Sequence, residues 1–144
     1  MGFQFSRRVA IEWGHCDPAG IVFNPRFFEF FDWSTALLLQ AALGVGKRDL
    51  LTAYGIAGVP LVDTRANFLA PSRFGDEVEI ASQVIAVGRS SFEIAHRLFN
   101  GGRLAVDGQE KRVWTIRDAE SGGLKAQAIP EDARRKLSAV SERA

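Results

Sequence analysis

Residues that build disulfides and metal sites are scarce in this chain. Its 144 residues include a single cysteine, Cys16, and only two histidines, His15 and His96. One cysteine excludes a disulfide within the chain and makes a reducing compartment the default. The three side chains also lack the spacing of a metal site, so we expect no bound metal ion.

Long apolar runs and an excess of one charge are absent too. No run approaches the about 20 apolar residues that cross a bilayer, and the N-terminal segment lacks the apolar core of a secretory signal. The formal net charge is +1, and the basic residues are scattered, which argues against a nucleic-acid partner. We therefore expect a cytoplasmic protein that binds neither nucleic acid nor membrane.

The sequence predicts one α+β domain, residues 1–144, in which strands lie against a single long helix. Residues 27–43 are apolar on nearly every side, and Gly44 is placed to end a helix, so we expect this helix to be buried almost all round. Alternation and β-branched or aromatic content predict half-buried strands at 59–69, 77–87, 91–100 and 103–118. The pair Asn100-Gly101 predicts a hairpin, and residues 130–137 predict a polar terminal helix with little evident chemistry.

The segment 15–28 carries the clearest chemical signal. Pro18 disfavours a helical conformation for Asp17, Gly20 allows a sharp turn, and Asn24 followed by proline is typical of a helix start. Free N–H groups at that start would stabilise an oxyanion, while Asp17 attacks the same carbonyl or activates a water against it. Such turn residues are also common without catalysis, so a structural role stays open on the residues alone.

The stretch Glu12-Trp-Gly-His-Cys-Asp-Pro-Ala-Gly-Ile-Val-Phe-Asn-Pro25 resembles, without a gap, the signature of the 4-hydroxybenzoyl-CoA thioesterase family of the hotdog superfamily. The resemblance implies an antiparallel sheet wrapped round a long central helix. It also implies hydrolysis of an aromatic acyl-CoA to the free acid and coenzyme A, with no cofactor beyond the substrate's own coenzyme A. Asp17 would be the catalytic carboxylate, and the backbone N–H of Asn24 would polarise the thioester carbonyl.

The turn Arg89-Ser90-Ser91 is the second candidate site. A guanidinium and two hydroxyls suit phosphate oxygens, although the same residues also make an ordinary turn. By the resemblance, this turn receives the nucleotide end of coenzyme A. The family can carry several basic residues where this chain has only Arg89, and Lys125 aligns roughly with another basic position.

Asp32 is an acid on an otherwise apolar helix. It is either part of a solvated strip with Glu29, or a functional group, because an ionised carboxylate is rarely buried without a partner. The resemblance implies that Asp32 accepts a hydrogen bond from the phenolic hydroxyl of the acyl group. Val59 stands where the family can offer a hydroxyl side chain, and His15 and Phe23 complete the implied substrate site.

Other chemistry finds less support in the sequence. Adjacent residues of an extended loop point apart, which disfavours Cys16 and His15 as a nucleophilic pair. His96 lies in an alternating run, where we expect it on a polar strand face. The alternatives to an aromatic acyl-CoA thioesterase are a broad short- or medium-chain acyl-CoA thioesterase and a non-catalytic acyl- or CoA-binding protein. A hydratase would need a helix-borne Asp/His pair, which is lacking.

The resemblance also implies an assembly. Hotdog proteins are dimers at minimum, with active sites between subunits, and members of this family are commonly tetramers. Edge strands and uncovered helix faces are usually covered by a second copy. We therefore expect a homodimer that assembles into a homotetramer.

Overall fold

Five antiparallel strands and a long helix make up most of the computed structural model, which describes residues 2–140. The elements are β1 (Gln4–Ala10), α1 (Pro25–Leu43), α2 (Leu50–Tyr54), β2 (Leu61–Phe68), β3 (Glu77–Val87), β4 (Ser91–Asn100), β5 (Arg103–Val113), β6 (Thr115–Arg117), β7 (Leu124–Ala126) and α3 (Glu131–Ser138). Residue 1 and residues 141–144, the ends of the predicted domain, lie outside the described residues.

The strands form one sheet in the order β1-β3-β4-β5-β2, and β6 pairs separately with β7. Alternate residues of β3, β4 and β5 are buried, which places one face of the sheet against α1. Phe31 and Leu38 of α1 are almost fully enclosed in two clusters of apolar side chains that contact this face. The predicted α+β arrangement of an antiparallel sheet around a long helix is thereby confirmed.

The hairpin predicted at Asn100-Gly101 is present, one residue further along. Asn100 pairs with Arg103, which leaves Gly101 and Gly102 as the two loop residues. Their φ angles of 59° and 79° lie in the left-handed region, where glycine has no steric penalty. Between Leu98 and Phe99 the register then shifts by one residue, so that Leu98 pairs with Val106 and the inward side chains of β4 and β5 meet beyond this irregularity.

Several elements differ from the prediction. The strand expected over 103–118 is divided at Trp114, whose side chain is fully buried and whose N–H donates to the carbonyl of Ser90 at 2.7 Å. This bond continues the pairing of β4 with β5 by one residue, and beyond it β6 pairs with β7 instead of with the main sheet. The sequence did not predict β1, where the adjacent Arg7 and Arg8 hide the alternation, nor the short α2 and β7.

Helix α1 is less enclosed than its composition predicts. Asp32 and Trp33 lie on an exposed side, and the side chain of Trp33 remains 45% exposed. Strand β2, predicted to be half-buried, is exposed on both faces except at Ala66. Both corrections have one reason, since no other element of the described chain covers this side of α1 and the adjoining edge strand.

Candidate active site

Asp17 lies at the tip of a tightly bonded loop just before α1. The Asp17 N–H donates to Ile21 O at 3.0 Å, and the Gly20 N–H returns to Asp17 O at 2.9 Å. One carboxylate oxygen, Oδ1, accepts the N–H of Ala19 at 2.8 Å. This Asx turn fixes the half-buried carboxylate, while Oδ2 has no partner among residues 2–140.

The helix start differs from the expected cap. Asn24 occupies the predicted N-cap position with Pro25 as the first helical residue, but its backbone angles are helical, φ −47° and ψ −42°, and its side chain makes no capping hydrogen bond. The first turn starts earlier, because the Arg26 N–H donates to Phe23 O at 2.8 Å and the Phe27 N–H donates to Asn24 O at 3.1 Å. Pro25 has no N–H. At this helix start, the Asn24 N–H is left without an acceptor in the described chain.

His15 and Cys16 have separate hydrogen-bond partners. The Glu12 N–H donates to Nδ1 of His15 at 2.9 Å. The imidazole packs edge-to-face on the Phe30 ring, with the ring centroids 4.9 Å apart. The Cys16 thiol lies 3.6 Å from the carbonyl of Glu12. Since the Phe23 N–H donates to His15 O at 2.9 Å, this histidine holds the loop against the helix start. The structure therefore disfavours a Cys–His nucleophilic pair.

Asp32 and Val59, predicted to contact the acyl group, line one cavity of about 80 Å³. Arg112, which the sequence did not single out, joins them. Its guanidinium donates to Asp32 Oδ1 at 2.7 Å and to the carbonyl of Val59 at 3.1 Å. Ala36, Leu39, Val45 and Leu50 give the cavity apolar walls, and Lys47 adds a second cation. Asp17, His15 and Phe23 do not line this cavity in the single chain.

Behind the cavity, Arg112 continues into a buried polar network. Its Nε donates to Glu110 Oε1 at 2.9 Å, and the hydroxyl of Thr35 donates to the same oxygen at 2.6 Å. His96 lies 3.6 Å from Glu110 Oε2 through Nε2 and 2.7 Å from the hydroxyl of Ser82 through Nδ1. Every polar side-chain atom buried in the described chain has a hydrogen-bond partner. The network fixes α1, β3, β4 and β5 relative to one another.

The position of His96 corrects the prediction of a polar strand face. Its side chain is fully buried and stacks on Phe31 with ring centroids 4.7 Å apart. The two-residue period that suggested a polar face in fact groups His96 with Ile94 and Leu98, which face the helix. Gly108, its partner on β5, makes room, since a Cβ there would lie 2.7 Å from the Phe31 ring.

Both charged residues of the network stay ionised at neutral pH. Burial raises the pKa of Glu110, but the contacts with His96 and Arg112 more than offset this and hold the pKa below its usual value. Burial likewise lowers the pKa of Arg112, and Glu110 together with Asp32 raises it above the usual value. The buried carboxylate and guanidinium therefore stabilise each other as a charged pair.

The predicted coenzyme A residues lie on the turn between β3 and β4. The Gly88 N–H donates to Ser91 O at 2.7 Å and closes this turn. Arg89 is exposed, whereas Ser90 and Ser91 are half-buried. Lys125 is exposed on β7, and no hydrogen bond or ion pair joins it to the turn within the described residues. The structure brings the three turn residues together and leaves Lys125 apart.

Residues 11–137 match the sequence model of the thioesterase-like superfamily. The chain belongs to this superfamily. It is 31% identical over 137 residues to the 4-hydroxybenzoyl-CoA thioesterase of Pseudomonas sp. strain CBS-3, covering 92% of this chain and 96% of that one. The family resemblance seen in the sequence is thus confirmed.

Solved structures of thioesterases share the fold. One is an Asp-to-Asn variant of 4-hydroxybenzoyl-CoA thioesterase in complex with 4-hydroxybenzoyl-CoA, with a TM-score of 0.85 and 27% identity, covering 94% of this chain and 99% of that chain. Another is a gentisyl-coenzyme A thioesterase, with a TM-score of 0.78 and 30% identity, covering 90% and 99%. The hotdog fold implied by the sequence is therefore confirmed for this thioesterase-like chain.

Among the residues that the structure describes, no helix is long and apolar enough to cross a membrane. No three His, Cys, Asp or Glu side chains between residues 2 and 140 are grouped so that they could hold a metal ion.

The buried network predicts a large stability difference between two ion pairs. Glu110→Gln leaves a buried guanidinium with a weakened partner, so we expect a loss of about 3 kcal/mol in the free energy of unfolding at pH 7. The matched control is Glu77→Gln, because Glu77 pairs with Arg8 at 3.0 Å with both side chains exposed. An exposed pair contributes at most about 1 kcal/mol. Urea denaturation of both variants measures the difference.

The same pair has a predicted pH dependence. Because the folded pKa of Glu110 lies below its usual 4.5, its contribution is complete above that value and is lost as the pH falls through the folded pKa. The gap between wild type and Glu110→Gln should therefore shrink in acid. A gap that widens below pH 4.5 would contradict this assignment.

Proposed function

We propose that this thioesterase-like protein hydrolyses an aromatic acyl-CoA thioester to the free acid and coenzyme A. The observation that carries the proposal is that one loop holds both Asp17, fixed with one free carboxylate oxygen, and the unpaired Asn24 N–H at the start of α1. The named relatives act on 4-hydroxybenzoyl-CoA and gentisyl-CoA, both of which carry a hydroxylated ring. Relatives and geometry support the same reaction.

In this proposal, Asp17 acts on the carbonyl carbon of the thioester in one of two ways. As a nucleophile, its carboxylate adds to the carbon, the C–S bond breaks, coenzyme A leaves as a thiolate that takes up a proton, and water cleaves the acyl–Asp17 anhydride. As a general base, it takes a proton from the attacking water, whose oxygen adds to the carbonyl carbon; the C–S bond then breaks, and coenzyme A leaves as a thiolate that takes up the proton. In both, the Asn24 N–H and the positive end of α1 stabilise the oxyanion.

The acyl end is assigned to the cavity beside Asp32. Its carboxylate is 57% exposed, yet Arg112 holds it at 2.7 Å, so it is oriented and still has an oxygen for a ring hydroxyl. The aliphatic lining suits a flat ring. Val59 offers no hydroxyl of its own, which leaves Asp32 as the group that distinguishes a hydroxylated ring from an unsubstituted one.

The coenzyme A end is assigned to Arg89, Ser90 and Ser91, with Lys125 as an additional cation. Arg89 is exposed on the turn, and a guanidinium and hydroxyls together bind phosphate oxygens. Coenzyme A is here part of the substrate, and the proposed reaction needs no cofactor. The free Cys16 is consistent with a reducing, cytoplasmic location, which we include in the proposal.

We further propose that the chain acts as a homodimer that assembles into a homotetramer. Strand β2 is an edge strand with a free hydrogen-bonding side, and it exposes Leu61, Val62 and Phe68. Exposed edges and apolar side chains of this kind are usually covered by a partner. A second copy that pairs along β2 would also cover the open side of α1 that carries Asp32 and Trp33.

Replacing Asp17 by asparagine should lower kcat at least about a hundredfold, because a positioned proton-transfer group or nucleophile is removed while the shape is kept. Asp118→Asn is the matched control, since Asp118 Oδ1 accepts the N–H of Glu120 at 3.1 Å in the same kind of Asx turn. Release of free thiol from 4-hydroxybenzoyl-CoA measures both. A fully active Asp17→Asn enzyme would refute the catalytic assignment and favour a protein that only binds acyl-CoA.

The 4-hydroxybenzoyl thioester should be preferred over the benzoyl thioester about tenfold or more in kcat/KM, because the unsubstituted ring leaves a charged acceptor without its donor. Asp32→Ala should shrink that preference while sparing the benzoyl substrate. Glu29→Ala, one turn earlier on α1 and paired with Arg26, is the control that should keep it. A wild type that ignores the ring hydroxyl, or works faster on aliphatic thioesters, would move the assignment to the broad acyl-CoA thioesterases.

The proposed assembly predicts that Val62→Asp lowers the molar mass in solution, as measured by light scattering, because a charge would be buried at the β2 contact. Leu124→Asp, on the exposed β7, should leave the mass unchanged. A monomeric wild type would remove the basis for this assembly.

A further inference from the structure

Arg134 of α3 binds the backbone of the turn that carries Arg89. Its guanidinium donates to three successive carbonyls, those of Gly88 at 2.7 Å, Arg89 at 3.3 Å and Val87 at 3.5 Å. The N–H of Ile129, just before α3, donates to the carbonyl of Arg89 as well, at 2.8 Å. The C-terminal segment therefore holds the carbonyl oxygens of this turn on one side.

This arrangement decides where the N–H groups of the turn point. In a planar trans peptide unit, the C=O and the N–H point in opposite directions. The Gly88 carbonyl and the Arg89 N–H belong to one peptide unit, so when Arg134 binds this carbonyl, the N–H points away from Arg134. The Arg89 carbonyl and the Ser90 N–H form the next peptide unit, and the Ser90 N–H points away from α3 for the same reason. Neither N–H has an acceptor within residues 2–140. Successive free N–H groups of this kind bind anions.

We propose that Arg134 is a positioning residue for the phosphate-bearing end of coenzyme A. It acts through the turn, because its donors are directed at backbone carbonyls. Two unpaired N–H groups and the exposed Arg89 side chain then face outward for phosphate oxygens. The proposal rests on the assignment of coenzyme A to this turn, and it gives α3 a role in substrate affinity that its polar sequence did not suggest.

A purely structural role for Arg134 makes a different prediction. Ala133 and Leu137 are fully buried and already anchor α3 to the core. If Arg134 only added to that anchor, its loss would lower stability and affect every substrate alike. If it positions the turn, its loss affects substrates that carry the nucleotide, because the turn must then be ordered during binding.

The experiment compares Arg134→Ala with Arg135→Ala. Arg135 is the neighbouring residue on α3, 68% exposed and paired with Asp132 at 3.2 Å, and it does not contact the turn. Each variant is assayed with 4-hydroxybenzoyl-CoA and with the same acyl group on pantetheine, which lacks the nucleotide. We expect Arg134→Ala to raise KM for the CoA thioester about tenfold, with kcat and the pantetheine kinetics little changed. Arg135→Ala should match wild type, and Arg134→Lys should be intermediate.

Two outcomes would overturn the proposal: an unchanged KM for the CoA thioester, or equal damage with both substrates. Arg89→Ala separates this failure from failure of the coenzyme A assignment. If Arg89→Ala raises KM and Arg134→Ala does not, only the positioning role is wrong; if neither does, the turn does not bind coenzyme A. Should the wild type hydrolyse neither thioester, calorimetric titration of the same variants with free coenzyme A gives the same comparison without turnover.

Discussion

The rest of the structure depends most on the hydrogen bonds that the guanidinium of Arg112 donates. It binds Glu110 on its own strand, the carbonyl of Val59 before β2, and Asp32 on α1. Transfer of a guanidinium and a carboxylate out of water is unfavourable, so the buried pair of Arg112 and Glu110 needs good hydrogen-bond geometry. Removal of either partner would leave an uncompensated buried charge. The long helix is therefore fixed against the sheet at the point where the cavity lined by Asp32 and Val59 opens.

Short-range signals in the sequence predicted the local structure around Asp17, the proposed catalytic residue. Pro18 and Gly20 shape the loop around Asp17, and Asn24 followed by proline marks the start of α1 at Pro25. These effects act between neighbouring residues of the chain, so they can be predicted from the sequence without knowledge of the fold. The detail that failed, the side-chain cap of Asn24, failed because the Phe23 carbonyl already starts the turn. Backbone geometry then left the Asn24 N–H unpaired, as the proposed chemistry requires.

The surroundings of Asp32 and of the Arg89 turn depend on contacts between residues that are far apart in the sequence. Arg112 and Asp32 are 80 positions apart, and Arg134 is 46 from Gly88, so no local pattern joins them. Glu110 and Arg112 point inward, but Lys111 between them is also charged, and three successive charges conceal a two-residue period. His96 shows that the period was present, since it falls in phase with the buried apolar residues of β4. The burial of a charged residue can be predicted only once its partner is known.

The two ion pairs of Arg112, with Glu110 and with Asp32, have different roles. The arm to Glu110 is buried and stabilises the fold, whereas Asp32 is 57% exposed, and partly exposed ion pairs contribute little to stability. Stability therefore does not explain why an acid stands at position 32 beside apolar cavity walls. Orientation does, because a rigid guanidinium held from behind by Glu110 fixes one carboxylate oxygen and leaves the other to the cavity. The fold thus orients a carboxylate oxygen of Asp32 towards the cavity, as the proposed recognition of a ring hydroxyl requires, at little expense in stability.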